Sequence, residues 1–268
     1  MSTKFTLTGA YSYRNAKNTE TDTKAKANNF TTGFSYDLKP NITLKTNVGL
    51  TDVNAQNNDY TQLLTDVSLS TKPFKLQSLD MGYKREWQNF NADLIDREID
   101  QNTLYANYNM GTNFKLGGYT QYQYTWQNDG NTRNLLFTSV YYKVLAKPLL
   151  KIGVNYQHIS FKNQVPTLYF SPETFNVYEV FADLLQQQKG KLSYNVNAAT
   201  GYQFIEDQEA QHTFRLQGKL GYTFTERFNA SVYGLHSNIA SATAAGFRYT
   251  EIGFRLQWFL LKKPVFRK

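Results

Sequence analysis

Cysteine is absent from the 268 residues, which excludes a disulfide scaffold, a thiolate metal site and a cysteine nucleophile. No apolar run approaches the ~18 residues that a membrane-crossing helix needs, so a helical membrane protein is excluded as well. Six prolines and 16 glycines are too few for a low-complexity chain, and the aromatic load argues against disorder. Charged residues make up only 19% of the chain, and the net charge of +8 is spread over many segments. Dispersed basic residues point away from nucleic acid as a partner. A secretory leader is not evident either. Met1-Ser2-Thr3-Lys4 runs straight into Phe5-Thr6-Leu7-Thr8, with neither an apolar core nor a cleavage site. An exported protein would then be a mature chain, or a fragment carrying a start methionine.

What the chain has in quantity is tyrosine (20) and phenylalanine (19), set among Thr, Asn and Gln. Their arrangement has a period of two almost everywhere. Leu192, Tyr194, Val196, Ala198, Thr200, Tyr202 and Phe204 alternate with Ser193, Asn195, Asn197, Ala199, Gly201 and Gln203. Phe214, Leu216, Gly218, Leu220, Tyr222 and Phe224 alternate with Arg215, Gln217, Lys219 and Thr223. Alternation signals strands with two different faces. These runs exceed the ~5–6 residues of ordinary globular strands and match the ~9–11 that cross a bilayer.

The breaks between runs come in two alternating kinds. Short ones lie at Leu38–Asn41, Thr71–Phe74, Thr112–Phe114, Ala146–Pro148, Gln188–Gly190 and Thr225–Arg227; three hold a Lys-Pro pair suited to a tight turn. Longer polar ones lie at Asn15–Ala27, Val53–Asn58, Gln88–Gln101, Gln127–Arg133, Lys162–Thr174, Ile205–Gln211 and Ser237–Gly246. Six short turns and seven long loops imply about 14 strands. The sequence thus predicts an all-β fold, an up-and-down antiparallel transmembrane β-barrel with short periplasmic turns and long external loops. The barrel is expected over residues 1–260, with a short basic tail over 261–268. Tyr11, Tyr13, Trp87, Tyr124, Trp126, Tyr202 and Phe204 fall at the long-loop ends of outward faces, while Tyr36, Tyr222, Phe224, Phe228 and Trp258 fall at the short-turn ends. Two such bands are the interfacial girdles of an outer-membrane barrel, whose lipid bilayer is the first expected partner.

Catalytic constellations are few. His158-Ile159-Ser160 places two polar groups on one face of a strand. It is similar to the His-x-Ser of outer-membrane phospholipases and lipid deacylases, but Phe161-Lys162-Asn163 follows and no orienting third group is recognisable. Asp93, Asp96, Glu98 and Asp100 crowd one loop without the fixed spacing of a cation site. Asn128-Asp129-Gly130-Asn131 reads as turn chemistry. Neither an enzyme nor a cofactor or metal is expected.

Function is therefore expected in the lumen. Extending the alternation puts Lys45, Lys84, Glu86, Tyr105, Asn107, Lys115, Lys143, Lys151, Asn155, Glu179, Asn195, Asn197, Arg215, Lys219 and Arg255 on the inner face, as the path of a cargo. Amides and hydroxyls suit hydrated solutes such as glycans, and the basic excess favours anions. Two loops, Gln88–Gln101 and Lys162–Thr174, are candidates for folding inward.

Within the second of these, Tyr169-Phe170-Ser171-Pro172, followed by Phe175 and a strand, resembles a segment of bacterial exopolysaccharide-export barrels of the kind found at the C-terminus of cellulose synthase operon protein C. The resemblance implies export of a nascent polysaccharide through the outer membrane, with Tyr169, Phe170, Ser171 and Pro172 in a loop constriction. It also implies a periplasmic tetratricopeptide-repeat domain and an inner-membrane synthase as partners. A general porin for small solutes, a lipid hydrolase resting on His158 and Ser160, and a plugged scaffold barrel are the other readings open at this point.

Overall fold

The structure is a computed structural model that describes residues 5–18, 21–89, 91–111, 115–186, 191–225, 227–239 and 249–258. The expected tail over 261–268 lies outside the described residues. Fourteen strands follow one another in the chain: β1 (Phe5–Lys17), β2 (Lys24–Lys39), β3 (Ile42–Ala55), β4 (Asp59–Thr71), β5 (Gln77–Trp87), β6 (Asp100–Met110), β7 (Leu116–Gln127), β8 (Thr132–Ala146), β9 (Leu149–Phe161), β10 (Phe175–Gln186), β11 (Leu192–Ile205), β12 (Gln211–Thr225), β13 (Phe228–Ser237) and β14 (Tyr249–Trp258). Among the described residues one short helix, α1 (Ala92–Asp96), interrupts them between β5 and β6. Each strand pairs antiparallel with its neighbours in sequence, in the order β1 to β14. The fold is an up-and-down antiparallel transmembrane β-barrel. Its seam lies between β1 and β14, which among the described residues form no ladder with each other.

The register explains why the alternation is so regular. Tyr178 pairs with Tyr202 and Val180 with Thr200, while Glu179 faces Gly201 and Asp183 faces Asn197. Residues of one parity thus meet on one face across the ladder, so each strand's outward set faces its neighbour's outward set and each inward set an inward one. A slip of one residue would turn every side chain to the wrong side. On the outer face Leu7, Leu50, Val154, Val180, Leu216 and Phe254 are all at least half exposed, which is sensible only against hydrocarbon. Tyr222, Phe224, Phe228 and Trp258 form a run of touching rings at the short-turn end, with centroids 4.8, 5.3 and 6.2 Å apart. Tyr156, Tyr178 and Phe204 do the same toward the long-loop end, at 5.0 and 6.0 Å.

An arginine on that outer face should be costly. Val154→Arg, near the middle of β9, is expected to destabilise the barrel by about 2–4 kcal/mol. Gln217→Arg, on the inner face of β12, should be near neutral. Urea-dependent folding into lipid vesicles measures both.

Several expectations are corrected. Asn15–Ala27 is largely strand: β1 and β2 stay paired up to Lys17 and Lys24. Likewise β3 and β4 pair up to Asn54 and Asp59, so their connection is only 56–58. Polar Asn, Lys and Thr hold the ladder there because these upper walls need no lipid-facing apolar band. Trp87 leaves the outer girdle and is buried against Ala25, Ala27, Val53, Ala92 and Ile95. The β4–β5 ladder stops at Thr65–Arg85, so the end of β5, held only by β6, lies clear of β4 where its ring packs inward. Lys115, finally, precedes β7 and places its ammonium 5.7 Å from the outward ring of Tyr142, an interfacial position and not a lumenal one.

Candidate functional site: the lumen and its mouth

The inner wall carries many polar groups, and several of its charges are paired along the wall. Lys151 Nζ lies 3.6 Å from Asp183 on the neighbouring strand and 4.8 Å from the ring of Tyr141. Asn195 donates to the same Asp183 at 2.8 Å. Arg215 of β12 reaches over Gly201 of β11 to Glu179 of β10 at 3.2 Å, and Asn155 of β9 donates to that carboxylate at 3.1 Å. On the opposite stretch of wall Lys45 approaches Asp80 at 3.9 Å, and Lys84 pairs with Glu86. Tyr105 donates to Asp66 at 3.0 Å, and Asn107 accepts from Tyr119 at 3.4 Å. Lys143 stands opposite Lys151, Asn197 opposite Asp183, Lys219 opposite Asn195 and Arg255 opposite Ser231, all on the inward parity.

Aromatic rings lie flat against this wall wherever a glycine faces them across the ladder. Tyr105 covers Gly82, Tyr141 covers Gly117, Phe181 covers Gly153 and Tyr233 covers Gly253. A Cβ built on Gly82, Gly117, Gly153 or Gly253 would come within 2.8 Å of the covering ring, so only glycine lets the ring lie down.

The mouth is bridged from two sides. The loop after β9 turns inward: Leu168 and Tyr169 are buried against Ile159, Phe175, Val177 and Ile205, all inner-face residues. Leu94 of α1 and Ile99 join that cluster from across the mouth. On its other side α1 rests on Ala25, Ala27 and Val53 of β2 and β3, and Tyr60 of β4 donates to Ile95 O at 2.8 Å. The two loops touch where Asn91 donates to Leu168 O at 3.3 Å. Small residues at positions 25 and 27 leave room for the helix. Asn91 caps it, accepting from Leu94 N at 2.8 Å.

Of the four residues in the resemblance motif, Tyr169 and Ser171 are the most engaged. The Tyr169 hydroxyl accepts from Asn131 Nδ2 at 2.8 Å and lies 2.8 Å from Gln127 Oε1 and 2.7 Å from Asp129 Oδ2. Burial and the Asp129 carboxylate push this hydroxyl above its ordinary pKa, although the Asn131 amide works against them. The phenol therefore remains a proton donor at any physiological pH. Ser171 accepts from Val165 N at 2.6 Å, Phe170 meets Phe175 edge-on at 5.2 Å, and Pro172 O accepts from Phe161 N. Asn131 was not legible as more than a turn residue. Buried to 1% exposure, its side chain holds Asn163 by both backbone N–H and C=O, at 2.9 and 2.8 Å.

The four loop carboxylates share no partner with one another. Asp93 takes Thr21 and Asn18, Asp96 takes Asn57, Glu98 takes Asn58, and Asp100 takes Arg85 at 2.6 Å. Among the described residues no three acids or histidines gather as metal ligands. Burial works to raise the Asp93 carboxyl, but hydrogen bonds from Thr23, Asn18 and Thr21, with Arg97 nearby, outweigh it and hold the pKa low. A carboxylate depressed in this way tethers α1 above the ordinary carboxylate range and releases it as pH falls. His158 and Ser160 both sit on the outward parity of β9, and His158 Nδ1 pairs with Asn176 at 2.9 Å.

No protein-family model matches the chain, and no curated protein matches it. Solved structures do. A bacterial polysaccharide outer membrane secretin is similar at 12% identity and a TM-score of 0.68, over 95% of this chain and 89% of that one. OmpF of Salmonella typhi, solved with daunomycin, aligns over 96% of this chain and 98% of that chain, at 12% identity and a TM-score of 0.46. The translocator domain of the autotransporter NalP from Neisseria meningitidis aligns over 94% and 85%, at 12% identity and a TM-score of 0.33. At such identity the first of these likenesses speaks to the fold, and the fold it supports is that of an outer-membrane β-barrel.

Proposed function

We propose that the chain is a channel of a bacterial outer membrane and that its cargo is a polysaccharide leaving the cell. The observation that carries this is the inner wall itself. Amides, hydroxyls and flat-lying rings alternate there with charges, of which Lys45, Lys151 and Arg215 are paired along the wall while Lys143, Lys219 and Arg255 leave a basic excess. Hydrogen-bonding groups exchange readily with sugar hydroxyls. Rings laid down over Gly82, Gly117, Gly153 and Gly253 offer apolar faces of the size of a pyranose ring. The likeness to a polysaccharide secretin supports the same cargo class. On this reading the lipid bilayer holds the barrel, and a periplasmic tetratricopeptide-repeat domain and an inner-membrane synthase deliver the polymer.

The runner-up is a small-solute porin, which would place opposed charged rows across the lumen; Lys45, Lys151 and Arg215 are instead paired on their own stretch of wall. The test is single-channel recording in a planar bilayer with neutral and anionic oligosaccharides of increasing length. Stable conductance with length-dependent block is the expected result. Free passage of small solutes without glycan block would favour the porin, and absence of conductance would sink both. A lipid hydrolase would show ester cleavage that Ser160→Ala abolishes; we expect none to be lost.

A further inference from the structure

Under the bridged mouth, between the two loops and the inner wall, lies a cavity of about 290 Å³. Two guanidinium groups line it, Arg14 from β1 and Arg133 from β8. Arg133 is only 9% exposed, yet among the described residues no carboxylate pairs with it. Its Nη2 has neutral acceptors only, Gln123 Oε1 at 3.2 Å and Thr125 Oγ1 at 3.3 Å. Its Nε is buried without any hydrogen-bond partner. Arg14 is likewise held by a neutral group, donating to Asn89 Oδ1 at 3.2 Å. The one acid on the cavity, Glu86, is already engaged by Lys84 and by Gln101 Nε2 at 2.8 Å.

A buried guanidinium with spare donors and no carboxylate within ion-pair distance, Glu86 acting on it only at longer range, is the arrangement that an anion completes. Arginine's planar fork matches a carboxylate in particular, two N–H groups to two oxygens. The other lining groups decide what the carboxylate belongs to. Trp87 presents an aromatic surface, and Gln88, Gln101 and the Tyr169 hydroxyl present amide and phenol groups suited to hydroxyls. The volume is at the small end of the ~300–1,000 Å³ of small-molecule pockets, room for one sugar unit and little more.

We propose that this cavity binds the carboxylate of an acidic sugar, a uronate, with Arg133 and Arg14 as the anion-binding pair. The proposal rests on the glycan-channel reading and narrows it to acidic polymers. Because Tyr169 both lines the cavity and anchors the loop above it, a bound uronate touches the residue that keeps the loop docked across one side of the mouth.

The test uses the full chain refolded in detergent, with calorimetry and tryptophan fluorescence, read in a Trp126→Phe, Trp258→Phe background so that it reports Trp87, as readouts for sodium glucuronate, glucose and inorganic phosphate. Glucuronate is expected to bind saturably and glucose not to bind. Arg133→Gln should weaken glucuronate binding at least tenfold, and Arg133→Lys should keep part of it. Arg14→Gln, at a more exposed position, provides a second variant should the first fail to fold, and it should weaken binding severalfold. Phosphate binding as tightly as glucuronate would overturn the sugar assignment. Absence of saturable binding, or binding indifferent to both variants, would overturn the site. A folded protein that still conducts and shows length-dependent glycan block would leave the channel reading standing in either case.

Discussion

A chain in which residues 163–173 are replaced by a short Gly-Ser turn is expected to pass several times the current of the parent in a planar bilayer. The reason is where those residues sit. Leu168 and Tyr169 lie on the inner face, against Ile159, Phe175, Val177 and Ile205, so their removal clears one side of the mouth. Burial of two such side chains stabilises the docked loop by roughly 1.5–3 kcal/mol each. The Asn131 clamp and the Tyr169 hydroxyl add about 0.5–1.5 kcal/mol per hydrogen bond. Summed, these contributions keep the loop docked almost all of the time. Tyr169→Ala removes about half of them at once, leaving Leu168 and the Asn131–Asn163 clamp, and should give frequent openings to the larger conductance level, where the deletion gives it permanently. Conductance unchanged in both variants would mean that the loop does not limit the path.

Breaking the Glu179–Arg215 pair is expected to have the largest effect on stability. Glu179 has a side-chain exposure of 5% and keeps only Asn155 when Arg215 is lost. Arg215→Met should therefore cost about 3–5 kcal/mol, the penalty of an uncompensated buried charge. Adding Glu179→Gln should recover most of that loss, since a neutral amide in the same place still meets Asn155. A cycle of the two single variants and the double variant, unfolded by urea in lipid vesicles, measures the coupling. Additive effects would place the two groups in water, independent of one another.

Much of this architecture was legible in the chain. Strands that cross lipid with water on one side must alternate, and Leu192–Ile205 or Gln211–Thr225 can be assigned, face by face, from that constraint alone. Lys45, Glu179 and Arg215 fall on the inner parity for the same reason. The alternation says nothing where both faces meet water or protein. For that reason the tops of β1 and β2 read as a loop, and Trp87 read as part of an outer girdle. The helix at Ala92–Asp96 is too short to carry a period, and only its docking on Ala25, Ala27 and Val53 holds it. Asn131 gave no signal beyond turn chemistry, because its role depends on Asn163 and Tyr169, 32 and 38 residues further along the chain. Arg133 could have been placed on the inner face by the same parity as Leu135. What the sequence could not show was that, among the described residues, no acid would come within ion-pair distance of it.

The measurement that tests the central claim most directly exploits the absence of cysteine. Single cysteines introduced in turn at positions 215 to 220 of β12 can be challenged, in reconstituted vesicles, with a charged thiol reagent that enters water but not lipid. Labelling at the positions of Arg215, Gln217 and Lys219, with protection at Leu216, Gly218 and Leu220, is the expected result: a water-filled lumen on one face and hydrocarbon on the other. Uniform labelling along the strand, or labelling of the opposite set, would contradict a transmembrane channel of this register.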